Sequence, residues 1–178
     1  MLKRSVLAAV LVAIPLSLAG AQASSPTQAL SLQPLNAVFG FYSAEYERAA
    51  GAAVTWGIGA NYAGNSISGG DARYTSAEFK LRAYPSGVAL NGFSIGGAVG
   101  YTSISAADGT SGGSSSVGGP TFGVLLEYQW LLGDKKEWTF ALGGGAKALF
   151  ISEDNSNNTV DFAAKYPTLR ISFGYAWR

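Results

Sequence analysis

The stretch Phe122–Leu132, FGVLLEYQWLL, alternates with a period of two residues. Large apolar side chains occupy every second position from its first residue to its last, whereas the positions between them include Gly123, Glu127 and Gln129. Successive side chains of a β-strand point to opposite faces. The pattern therefore predicts a strand with one apolar face and one small or polar face.

The closing segment of the chain repeats this alternation, and no segment of the mature chain keeps a helical apolar stripe over three turns. We therefore predict an all-β protein, an eight-stranded antiparallel up-and-down barrel. The candidate strands are Gln28–Ala37, which Pro34 interrupts, Gly40–Ala49, Val54–Tyr62, Ala77–Ala83, Phe93–Tyr101, Phe122–Leu132, Trp138–Phe150 and Leu169–Trp177.

The links between these candidate strands alternate in length, with Ala37–Gly40 the one short link where a long one is expected. Short turns are predicted at Arg48–Ala52, Pro85–Leu90 and Leu132–Lys136, and long polar loops at Ala63–Ala72, Ser105–Gly119 and Ser152–Lys165. The link Ser105–Gly119 is rich in Gly and Ser, which predicts a flexible loop. Such alternation is typical of outer-membrane barrels, and it places both termini and the short turns on the periplasmic side.

The first segment, Met1–Ala23, has the features of a cleaved secretory signal peptide. Two basic residues, Lys3 and Arg4, precede an apolar run, and small residues end it at Ala23. A membrane anchor is the alternative, but Pro15 breaks the run and the run is short for a span of about 20 residues. We therefore predict that residues 24–178 form the mature outer-membrane barrel domain.

The composition excludes several functional classes. The chain of 178 residues contains 24 glycines but no cysteine and no histidine. Disulfides, the common zinc sites and a Ser-His-Asp triad are therefore excluded. Twelve basic against eleven acidic residues form no basic stripe, so we expect no nucleic-acid partner.

The polar face decides whether the barrel is soluble or spans a membrane, because period two fits both. Many of its positions are glycine, which weakens a water-exposed strand but fits inside a narrow barrel. We therefore predict a transmembrane barrel whose plugged lumen holds four acidic and four basic side chains that pair with one another. These are Glu45, Glu47, Glu78, Lys80, Arg82, Glu127, Lys147 and Arg170.

Aromatic residues on the apolar face gather near the two ends of the predicted strands. Amphipathic rings prefer the headgroup level of a membrane, so this distribution predicts two interface belts. The belt near the short turns comprises Trp56, Trp130, Trp138, Trp177 and Tyr46, and the belt near the long loops comprises Tyr62, Tyr101 and Phe150.

With these features the chain resembles the small eight-stranded outer-membrane barrels of bacteria, the group that includes OmpX-like and OmpA transmembrane-domain-like proteins. The segments Glu45–Arg48, Tyr84–Gly87 and Leu169–Trp177 resemble a family of such barrels of undefined function. The resemblance implies outer-membrane lipids as partners and recognition of the last strand by the barrel-assembly machinery. Here Arg178 follows the final aromatic residue, whereas many members end on the aromatic itself.

Two barrel enzymes of similar plan modify lipid A with a serine that needs a histidine, and this chain has none. We therefore expect a monomeric, non-enzymatic barrel with a structural or surface-interaction role and no catalytic, cofactor or metal site. Two alternatives stay open at this point. One is a narrow channel for small or hydrophobic solutes, and the other is a secreted, lipocalin-like barrel that binds an apolar ligand.

Overall fold

A computed structural model describes residues 25–67, 70–108, 114–155 and 158–178. The predicted signal peptide, Met1–Ala23, lies outside these residues. The elements are β1 (Gln28–Leu32), α1 (Pro34–Ala37), β2 (Phe41–Ala49), β3 (Val54–Ile67), β4 (Gly70–Ala83), β5 (Gly92–Asp108), β6 (Ser114–Leu132), β7 (Trp138–Asn155) and β8 (Asn158–Trp177).

The prediction of an eight-stranded antiparallel barrel is confirmed. Each strand pairs with the next along the chain, and β8 pairs with β1 to close the barrel. Closure leaves the sheet with no free lateral edge where the strands are paired, so the backbone groups of these strands bond within the wall. Among the described residues, no helix is both long and apolar enough to cross a membrane.

The two ends of the barrel differ. The three turns β2–β3, β4–β5 and β6–β7 meet at one end, together with the C-terminus, and we call this the short-turn end. The hairpins β3–β4, β5–β6 and β7–β8 rise at the other end, which we call the long-hairpin end. Strands β5 to β8 are 17 to 20 residues long, so they extend well beyond β1, which has five.

The prediction of three long polar loops is wrong over much of their length. Strand β5 continues to Asp108 and β6 begins at Ser114, so most of Ser105–Gly119 is paired strand, with Ser105 opposite Ser116. Likewise β3, β4, β7 and β8 continue into the other two predicted loops. The hydrogen bonds between strands join backbone groups, which Gly and Ser also have. Once the apolar part of a strand pair has set the register, the pairing can therefore continue through a segment of Gly and Ser that has no apolar face.

The first predicted strand is also too long. Strand β1 ends at Leu32, and Pro34 begins the short helix α1. Proline has no N–H to donate to a strand ladder, but it is well suited to the first turn of a helix. The link between β1 and β2 therefore carries one helical turn, and Asn36 bonds back to the Gln33 carbonyl.

Candidate functional site

The inward face of the barrel carries the eight charged side chains that the alternation placed there. Seven of them are buried, and Lys147 is nearly so. Buried ions are costly unless they are paired. Among the side chains that the structure describes, these eight comprise four carboxylates, two lysines and two arginines, so the formal charge of this cluster is zero.

Arg82 lies at the centre of this charged cluster, with its side chain 1% exposed. Its Nη2 atom lies 2.7 Å from Glu45 Oε1, and its Nε donates to Glu127 Oε2 at 2.7 Å. Its Nη1 atom lies 3.4 Å from Glu47 Oε1. One guanidinium therefore joins three carboxylates from β2 and β6 across the lumen, which matches the five-donor fork of arginine.

Arg170 joins two of these carboxylates from the opposite wall. Its Nη1 donates to Glu127 Oε2 at 2.8 Å and lies 3.2 Å from Glu45 Oε1. Its Nη2 donates to Ser31 Oγ at 3.2 Å. Because β8 and β1 meet at the closure of the barrel, Arg170 ties the closing seam to the central cluster.

The two lysines form a second layer of ion pairs toward the long-hairpin end. Lys80 is paired with Glu45 and lies 3.5 Å from Glu78 Oε2. Lys147, on β7, is paired with Glu78. Glu45 is therefore shared by the arginine layer and the lysine layer, and all eight charges form one connected network.

Small residues flank these long side chains in the sheet. Glu78 lies between Gly59 of β3 and Gly100 of β5, and a Cβ atom at Gly100 would lie 2.9 Å from Glu78 Cγ. Other flanking pairs of small residues include Thr55 and Gly96 beside Arg82, Ser94 and Gly143 beside Glu127, and Ser31 and Gly59 beside Glu45. Glycine and small residues thus provide the space that extended charged side chains need in a narrow barrel.

The short-turn end is closed by the β4–β5 turn. Tyr84 is buried, and its hydroxyl lies 2.9 Å from Glu47 Oε1 and 2.8 Å from Gln129 Oε1. Leu90 is fully buried and packs with Ala29 and Ala176, on the two strands of the closing seam. The turn therefore folds into the mouth of the barrel and blocks it.

Tyr84 acts as a neutral hydrogen-bonding group. Burial, together with the nearby Glu47 carboxylate, raises the pKa of its phenol well above the ordinary value. The hydroxyl therefore keeps its proton and can donate to either acceptor. Gln129 in turn donates to Thr139 Oγ1 at 2.9 Å, so the network continues into β7.

A cavity of about 310 Å³ lies on the long-hairpin side of the charged cluster. Its floor includes Glu78, Lys147 and Arg170. A chain of neutral groups lines one wall, where Gln33 donates to Ser43 Oγ at 2.9 Å and Asn61 is bonded to Ser43. The other lining residues include Asn36, Phe41, Tyr42, Tyr74, Tyr166, Thr168 and Leu169. The cavity is thus of the size that small-molecule sites have, with a charged floor and neutral polar walls.

Four of the five aromatic residues predicted near the short turns lie together on the outer face. Tyr46 contacts both Trp56 and Trp177, with ring centroids 5.7 and 6.2 Å apart. Trp138 lies next along the wall, 5.5 Å from Tyr175, a ring that also neighbours Trp177. These rings surround the closing seam at the short-turn end.

The remaining predicted aromatics also face outward. Trp130 lies 5.5 Å from Phe140 near the β6–β7 turn. Phe150, Tyr62 and Tyr101 lie farther toward the long-hairpin end, and each is more than two-fifths exposed.

Sequence reasoning missed the functional groups that lie outside the alternating pattern. Leu90 belongs to a turn, where no periodicity assigns a direction to the side chain. Tyr84 lies one residue beyond the predicted strand Ala77–Ala83, although its parity is that of the inward-facing Lys80 and Arg82. The neutral cavity wall was missed because Ser43, Asn61 and Gln33 carry no charge. The sequence signal that could have identified this wall is an uncharged polar residue at an inward-facing position near the end of a strand.

The chain is thus a closed eight-stranded antiparallel β-barrel with buried charged residues, a plan consistent with an OmpX-like fold. Comparison with known proteins adds no relative, because no family model, curated protein or solved structure matches the chain.

Proposed function

We propose that the chain is an integral barrel of a bacterial outer membrane, with a closed, charge-balanced lumen and a structural or surface-interaction role. The observation that carries this proposal is the inverted polarity of the barrel. Charged side chains are buried inside, while large apolar side chains such as Val124, at 63% exposure, cover the outer face. Contiguous apolar surface of this extent is a liability in water and is the normal exterior in lipid.

The alternative of a soluble barrel for an apolar ligand is less well supported. A lipocalin-like lumen needs apolar walls, but the largest buried side chains here include Arg82 and Tyr84. The buried apolar cluster consists of Ala29, Leu90 and Ala176, with Leu131 packed against it. The interior therefore offers ion pairs rather than an apolar binding surface.

The alternative of a narrow channel meets two obstacles along the barrel axis. The first is the turn that carries Tyr84 and Leu90 into the short-turn mouth. The second is the cluster around Arg82, which bridges opposite walls. Passage along the axis requires breaking ion pairs that are buried, and each such break is costly.

Detergent dependence tests the proposal. We expect the chain without residues 1–23 to fold in detergent micelles or lipid vesicles, with strand circular dichroism and slower migration after boiling. In plain buffer we expect it to aggregate. A protein that stays folded and monomeric in plain buffer would refute the membrane proposal and favour a secreted barrel.

A further inference from the structure

The barrel wall is incomplete above β1. Strand β1 pairs with β8 only from Gln28 opposite Trp177 to Leu32 opposite Phe173. Strand β8 continues for 15 residues beyond Phe173, toward the long-hairpin end. Within the described chain, residues 163–172 of β8 therefore have no β1 residue beside them, and the wall has a gap on this side.

Helix α1 stands in this gap and contacts both β2 and β8. It is one turn long and has no buried residue. Its side-chain anchors are Asn36, which donates to Gln33 Oε1 at 2.9 Å, and Gln33, which donates to Ser43 Oγ. Segments with few buried contacts open at low free-energy cost. Few contacts of the helix therefore resist its movement out of this wall.

The cavity described above reaches this gap. It is lined by inward-facing residues such as Lys147 and also by Leu169, which lies at the unpaired part of β8 and is 70% exposed on the outer face. Phe41 and Tyr42 line it from the opposite side of the gap. One cavity thus joins a polar interior to an apolar exterior.

We propose that this cavity binds a neutral amphipathic molecule. Its hydroxyl- or carbonyl-bearing head lies inside near Asn36 and Tyr166, and its alkyl chain leaves through the gap beside Leu169. That the alkyl chain ends in lipid depends on the membrane location proposed above. The polar head site itself rests on the cavity alone.

The ion pairs of the floor explain why the head is neutral. Lys147 is paired with Glu78, and Arg170 is paired with Glu127 and Glu45. A charged head would lose its hydration and would have to compete with a partner that is already in place. The amides and phenols of the walls instead suit a hydroxyl, which donates one hydrogen bond and accepts up to two.

A fluorinated octanol tests the proposal by fluorine NMR, with the barrel in lipid nanodiscs and empty nanodiscs as background. Insertion is measured first, by heat-modifiable migration. We expect a bound signal that is distinct from the lipid-partitioned one. Fluorinated octanoate, with the same chain and a charged head, is expected to bind at least tenfold more weakly. Octanoate binding as tight as octanol binding would overturn the neutral-head proposal.

Two variants locate the site. Thr168→Trp fills the cavity and is expected to abolish the bound signal, whereas Val124→Trp adds the same ring on the outer face and is expected to leave it unchanged. Tyr166→Phe is expected to weaken binding roughly fivefold to tenfold, the effect of one hydrogen bond. Tyr101→Phe, on the outer face, is its control.

The outcomes separate the two proposals. A chain that never inserts refutes the membrane proposal. An inserted wild-type barrel that gives no bound octanol signal refutes the binding site alone. If Thr168→Trp does not fold, Tyr166→Phe decides, and wild-type affinity in that variant overturns the placement of the head.

Discussion

Arg82 extends across the inner face of Gly96, its partner on the neighbouring strand. A Cβ atom at Gly96 would lie 3.0 Å from Arg82 Cγ and 2.6 Å from the Leu81 carbonyl oxygen. The next residue, Gly97, faces outward, and a Cβ there would meet its nearest atom at 3.8 Å. Two adjacent glycines of β5 therefore face very different surroundings.

Gly96→Ala should destabilise the barrel by about 1–3 kcal/mol, because the added methyl forces Arg82 or the backbone of β4 to move. Gly97→Ala should leave the free energy of unfolding nearly unchanged. Urea unfolding in lipid vesicles, followed by tryptophan fluorescence, measures both variants. Equal effects of the two substitutions would mean that space beside Arg82 does not explain the glycine.

Arg170→Met should cost about 3–5 kcal/mol of unfolding free energy, because Glu127 and Glu45 lose a buried cationic partner. Adding Glu127→Gln should recover part of this loss, since the uncompensated carboxylate is removed. Arg48→Met, at an exposed position, is the matched control and should be near neutral. Wild-type urea resistance in the Arg170→Met variant would contradict a stabilising role for the network.

Strand parity was enough to predict which side chains share the inner face. Glu127 and Lys147 alternate with apolar neighbours on their own strands, and this local pattern is independent of which strands pair. The partners of each charge were not predictable. Arg82 meets Glu127 across 45 positions of sequence, and that contact exists only once the barrel closes with a defined register.

Features outside the alternation could not be predicted from the sequence, each for its own reason. Leu90 is buried from a turn with a positive φ of 64°, which no apolar period indicates. The upper part of β5 pairs through Ile104 opposite Val117 and through Ser and Ala, so it resembles a loop in composition. Only Pro34 indicated in the sequence that β1 is short. Cleavage after Ala23 stays a prediction.

Tyr84→Phe should lower the free energy of unfolding by about 1–3 kcal/mol. The phenol has one proton for two buried acceptors, Glu47 Oε1 and Gln129 Oε1. Its removal takes away this shared donor, although Thr55 still donates to Glu47. Tyr101→Phe, at 58% exposure, is the control and should have little effect. Equal stabilities of the two variants would show that the Tyr84 hydroxyl contributes no more than a surface phenol.

The wild-type barrel should give no steady ion conductance in planar bilayers. Tyr84 and Leu90 close the short-turn mouth, and the cluster around Arg82 closes the middle of the lumen. Leu90→Gly removes the apolar part of the first closure at a backbone position that glycine accepts. This variant should also stay closed, because the ion pairs remain. Steady conductance of the wild type would favour the channel alternative.

A charge on the outer face distinguishes lipid from water around the barrel. Val124 lies near the middle of β6 and points outward, so Val124→Lys should cost about 2–4 kcal/mol if lipid surrounds it. In a water-soluble barrel the same change should alter stability by no more than about 0.5 kcal/mol. Ala50→Lys, in an exposed turn at the short-turn end, is the control and should be neutral in both cases. Unfolding in vesicles measures the difference, and a neutral Val124→Lys would count against a lipid-facing wall.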